Sequence, residues 1–147
     1  MVRRLGPLGF GVALALSLAG CTLVSYTPKE LVLSQRYGLV ALDAVELARI
    51  TQDGLEVVEF GFLASPYAPR DLYDLGEKLK TQLKARGFEE RCQTYHFPLF
   101  GGGQYTLRMA RGGEGVGLFL KPLAQPQAYR LEVGPASPNP PLDCPAR

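Results

Sequence analysis

The sequence predicts an α+β domain: an antiparallel sheet of about five or six strands with one amphipathic helix, about residues 71–86, packed on one face, in the order β-β-α-β-β-β-β. Three observations carry this. Leu72, Leu75, Leu79 and Leu83 recur at helical spacing and make one apolar stripe. Beyond residue 104, apolar and polar residues alternate in three successive runs, as in strands with one buried face. Short turns join the later strands, those at Gly101–Gly103 and Arg111–Gly115 rich in glycine, and strands joined by short turns pair antiparallel.

Taken in order, Leu31-Val32-Leu33 fits either a first strand or a segment that docks a tether. Asp43-Ala44-Val45-Glu46 has the form of a capping box, which would start a helix. Gln52-Asp53-Gly54, however, stands between Val45–Thr51 and Leu55–Leu63 as a hairpin turn. The hairpin is the preferred reading, because the second run is rich in β-branched and aromatic residues. Ser65-Pro66-Tyr67-Ala68-Pro69 breaks the chain. Asp71 then offers an N-cap, Asp74 a negative charge in the first helical turn, and Gly87 a C-terminal stop. Arg91–Phe97, Tyr105–Ala110, Val116–Lys121 and Tyr129–Val133 supply the later strands, and residues 135–147 form a Pro-rich tail. A single helix is too narrow to cover five or six strands. Part of a sheet face must therefore curl on itself, lie under the tail or meet a partner.

The N-terminus carries a different kind of signal. Arg3 and Arg4 precede the apolar run Val12–Leu16 with Leu18, and Leu18-Ala19-Gly20-Cys21 follows with small residues ahead of the cysteine. This segment resembles the signal peptide and lipobox of bacterial lipoproteins. The resemblance covers residues 1–21 alone and implies removal of residues 1–20. It further implies a thioether-linked diacylglycerol on Cys21, an acylated Cys21 amine and residence in the cell envelope. Thr22 after that cysteine, in place of aspartate, favours the outer membrane if the host is Gram-negative. The rival is a retained helical anchor over Leu5–Pro28, which Gly6, Pro7, Gly9 and Gly11 weaken. On the lipoprotein reading, residues 21–30 are the lipidated cysteine and its tether, and residues 31–134 are the folded domain.

Cleavage removes Arg3 and Arg4 and no acidic residue, so the net charge falls from +2 to zero over the remaining 127 of 147 residues. A neutral chain has no overall field for phosphate backbones, which argues against a nucleic-acid partner. The membrane, through lipid on Cys21, is the expected partner, with an envelope protein or amphiphile as a second. With Cys21 acylated, Cys92 and Cys144 remain as an even pair in a compartment that permits disulfides, and a bridge between them is expected.

No catalytic, metal or cofactor site is expected. Cys92 and His96 would share one face of a strand about 13 Å apart, too far for a thiol–imidazole pair. Gly101-Gly102-Gly103 leads into a strand and lacks the helix that a phosphate cradle needs. The one weak contact signal is aromatic: Tyr67 between two prolines, Tyr73 nearby, and Phe97 and Phe100 flanking Pro98-Leu99. The sequence therefore favours a non-catalytic binding or assembly module. An envelope enzyme and a self-associating structural protein are the alternatives.

Overall fold

A computed structural model describes residues 25–99 and 102–137. Eight strands and one helix are present among them. Six strands form one antiparallel sheet: β3 (Ala44–Gln52), β4 (Leu55–Phe62), β5 (Glu89–His96), β6 (Gln104–Arg111), β7 (Glu114–Pro122) and β8 (Ala128–Ala136), in the spatial order β3-β4-β8-β7-β6-β5. The expected order is present, preceded by two strands. Leu31–Leu33 falls within β1 (Glu30–Ser34), which pairs with β2 (Leu39–Leu42) in a separate hairpin. The stretch with two readings is strand: Asp53 (φ 53°) and Gly54 (φ 81°) make the left-handed turn that a two-residue β-hairpin needs.

The helix, α1 (Leu72–Ala85), is capped as its sequence dictates. The Asp71 carboxylate accepts the Asp74 N–H at 2.8 Å. At the other end Gly87 (φ 92°) takes the left-handed conformation. The Phe88 N–H reaches the Leu83 carbonyl and the Gly87 N–H that of Lys84, which is a Schellman closure.

The strand registers place one row of side chains across the sheet. Val58 faces Leu131, Leu131 faces Leu120, Leu120 faces Tyr105, and Tyr105 faces Tyr95. Val58, Leu131, Leu120 and Tyr105 are fully buried, so this is the core face. Leu72, Leu75, Leu79 and Leu83 from α1 cover its β5–β7 half. The β1–β2 hairpin supplies the rest of the cover, with Leu33, Tyr37, Leu39 and Ala41 in the same core. The sheet does not need to curl, because a second small layer finishes what one helix cannot.

Polar clamps fix that layer. The Ser34 hydroxyl donates to the Glu56 carboxylate, whose other oxygen accepts the Gln35 N–H at 3.1 Å. The Gln82 side-chain amide pairs with both backbone groups of Val40, each at 2.9 Å, as a neighbouring strand would.

Candidate functional site

Antiparallel connections divide the domain into two ends of different chemistry. At one end lie the turns Gln35–Gly38, Asp53-Gly54 and Arg111–Glu114 and the helix stop at Gly87. Arg36, Asp53, Arg86, Glu89 and Arg111 are exposed there. At the other end lie the β4–α1 connection, the β5–β6 and β7–β8 loops, and the point where the N-terminal segment joins the domain. Most of the exposed large apolar side chains collect here. Phe97 is 68% exposed, Leu99 62%, Tyr26 60% and Leu63 46%, with Tyr67 and Tyr73 close to 40%.

Asp43 ties the incoming chain to this end. It sits at φ 57° between β2 and β3 and is fully buried. Its carboxylate accepts the Tyr26 hydroxyl at 2.9 Å and the Lys29 N–H at 2.9 Å, while its backbone N–H donates to the Lys29 carbonyl. Its own carbonyl receives the Leu63 N–H. Burial pushes the Asp43 carboxyl up, but the Lys29 N–H and the Ser65 and Tyr26 hydroxyls outweigh it and hold the group below the ordinary carboxylate value. The Tyr26 ring stacks on Tyr67 at 6.3 Å, so residues 26–29 belong to the folded domain.

Beside this junction a groove of about 810 Å³ runs along α1, between the helix and β2. Leu75, Leu79 and Ala85 line one wall and Val40, Ala41 and Leu42 the other. Phe62, Pro66 and Tyr67 stand at its tether end. The volume is that of a typical small-ligand pocket. Lys78 is the cation nearest that end and keeps an ion pair with Asp74 at 3.4 Å.

Under the opposite flank of the helix lies a polar network. The Tyr105 hydroxyl donates to Glu77 at 2.9 Å, and the Gln93 amide is 3.2 Å from it. Lys80 pairs with Glu77 at 3.1 Å and with Glu90 at 2.9 Å. Burial first, then the Glu77 carboxylate, drives the Tyr105 hydroxyl far above its ordinary value. Burial works against the charged Lys80, but Glu90 and Glu77 more than offset it and raise its pKa. A tyrosine held neutral and a lysine held charged join α1 to β5 and β6. Neither pKa is moved toward 7, as that of a general base would be.

The residues singled out in the sequence divide accordingly. Tyr67, Tyr73 and Phe97 come to the same end of the domain. Tyr73 also packs edge-on against Tyr95 at 5.0 Å. Phe100, Cys21 and Cys144 lie outside the described residues. Cys92 and His96 are both on β5, on the face opposite the core, and Cys92 is engaged rather than free. The sequence reading missed Asp43, taken there only as a capping alternative, and the helix–hairpin groove. A lone aspartate before a β-run was the only local hint of the first. The second needed the position of β2. No protein-family model, curated protein or solved structure matches the chain.

Proposed function

We propose that this protein is a lipid-anchored lipoprotein of the cell envelope, whose domain is a non-catalytic module that binds an amphiphilic partner. One observation carries the reading: an apolar groove of about 810 Å³ opens beside the point where the tether from Cys21 enters the fold. An acyl-bearing amphiphile suits it, since most of the lining is apolar and Glu30, Lys78 and Arg86 supply charged groups for a polar head. The test is saturable binding of a fluorescent fatty-acyl probe to the mature protein. Wild type should bind one equivalent, and Leu42→Arg, which places a charge on the groove wall, should not. A wild-type chain that binds no probe and copurifies with no lipid overturns the reading.

The bridge between Cys92 and Cys144 belongs to the same proposal. Cys92 lies in a row across the outer sheet face with Arg108, Gly117 and Gly134. Three strand spacings, roughly 14 Å, separate β5 from β8. Eight residues lead from Ala136 to Cys144 and reach up to about 27 Å when extended. The two glycines leave a shallow depression of about 340 Å³ on that path, bounded by Thr106, Arg108 and Phe119.

Self-association is a second reading, with its own support. β3 is an edge of the sheet, and Val45, Leu47 and Ile50 on it are 47–58% exposed. Sedimentation in mild detergent distinguishes it: a dimer abolished by Ile50→Lys favours it, and a monomer sinks it.

A further inference from the structure

We infer that the aromatic end of the domain is a bilayer-docking surface: the Phe97–Leu99 loop tip enters the lipid interface, with Leu63, Tyr67 and Tyr26 at the same end of the domain. The inference rests on the proposed lipidation of Cys21 and adds an orientation that an anchor alone does not fix.

Tether length comes first. Tyr26 is bound to Asp43 through its hydroxyl and to Tyr67 through its ring. Five residue steps separate it from Cys21, so the anchor lies within about 18 Å of this end. The opposite end is too distant for the bilayer to meet first. β3 alone, from Ala44 to Gln52, spans roughly 27 Å.

Surface chemistry points the same way. Phe97 and Leu99 are the most exposed large apolar side chains at a loop tip, 68% and 62%, and Pro98 between them packs against Gly103 at the base of the same loop. Tyrosines at 38–60% exposure share this end of the domain, Tyr26 and Tyr67 toward the opposite edge of the sheet, and amphipathic rings of this kind sit at the headgroup level of membranes. The opposite end carries Arg36, Asp53, Arg86, Glu89 and Arg111 and would lie in water. Charges at the docking end are mixed: Lys29, Arg70 and Lys121 are balanced by Glu30, Asp71 and Asp74. Docking therefore comes from apolar insertion and should resist salt. The acyl chains implied on Cys21 already meet the two-signal requirement for stable attachment, so the loop tip fixes orientation rather than attachment itself. The same orientation opens the tether end of the α1 groove toward the lipid.

The chain has no tryptophan, so single reporters can be placed without background. Phe97→Trp and Ile50→Trp, both at exposed positions, would be purified as the mature full chain. Each would be reconstituted in phosphatidylethanolamine–phosphatidylglycerol vesicles with acyl chains brominated, and Cys21 acylation would be read separately by intact mass. The expected result is quenching at position 97 at least about threefold stronger than at position 50, unchanged in high salt, as befits a side chain seated several ångströms into the interface. Tyr67→Trp should be quenched too, and lose that quenching in a Phe97→Ser/Leu99→Ser background. An acylated chain with equal quenching at 97 and 50 overturns the docking surface and leaves the anchor standing. An unacylated chain whose position 97 is still quenched by added vesicles overturns the anchor and upholds the surface. An unacylated chain with no quenching overturns both.

Discussion

Gly76 is the position where the packing of α1 on the sheet can be tested most sharply. A Cβ built on it would lie 2.4–2.5 Å from three ring atoms of Tyr105. Carbon–carbon contact is optimal near 3.5–4.0 Å, so the ring must retreat by about 1 Å or more. It has nowhere to go: Tyr105 is fully buried, its hydroxyl is held by Glu77 at 2.9 Å, and Tyr73 stands beside it at 6.1 Å. Gly76→Ala gains about 1 kcal/mol of helix propensity. Overpacking of this depth costs about 3 kcal/mol, the upper part of its usual range. The net loss is about 2 kcal/mol, which lowers Tm by roughly 8 °C in a domain of this size. Thermal melts followed by circular dichroism measure it. Thr81→Ala on the exposed side of the same helix is the control, with Tm expected to stay level or rise slightly. If Gly76→Ala melts at or above wild type, the helix does not rest on the Tyr105 ring, and the packing argument fails.

The remaining predictions use other contacts. Tyr37 is 3% exposed and its buried hydroxyl has no partner among the described residues, so Tyr37→Phe should be neutral or stabilise by up to about 1 kcal/mol in urea titration; a clear loss would reveal a partner outside them. Stability should hold level between two limbs. Tyr105 and Lys80 are raised above 10.0 and 10.5, so what they contribute is complete below about pH 10 and disappears as pH climbs through their folded values. Asp43 and Asp74 are lowered below 3.8, so their contribution is present above that value and is lost as pH falls. Denaturant midpoints that rise between pH 10 and 11 would contradict this. If Cys92 and Cys144 are bridged, a closed loop of about 50 residues adds roughly 4 kcal/mol, and reduction or Cys92→Ser should remove most of it. A reduced chain with an unchanged midpoint would show that the tail carries no such constraint.

Much of the fold was legible because its signals are local. The stripe Leu72, Leu75, Leu79, Leu83 with Asp71 before it and Gly87 after it specifies α1 through rules that act within a few residues. Asp53-Gly54 outweighed the capping pattern at Asp43 for the same reason, since a two-residue turn fixes the register of both strands it joins. The β1–β2 hairpin was only half legible. Strands of five and four residues have little periodicity, and what holds them is the contact of Gln82 with Val40 and of Glu56 with Ser34 and Gln35, distant in sequence. The aromatic residues Tyr67, Tyr73 and Phe97 were visible as candidates, but not their company. Whether a ring at a loop packs under it or faces out depends on distant neighbours, such as Tyr26 for Tyr67 and Tyr95 for Tyr73.

The sequence by itself determined α1, the β3–β4 hairpin and the four later strands to within a few residues, the near-neutral charge and the lipobox-like start, because each depends on residues adjacent along the chain. The tertiary structure alone decided which loops share an end, that Asp43 holds Tyr26 and Lys29 of the incoming chain, and that α1 and β2 leave a groove between them. These are consequences of strand order β3-β4-β8-β7-β6-β5, set by burial of one common core and not by any local pattern.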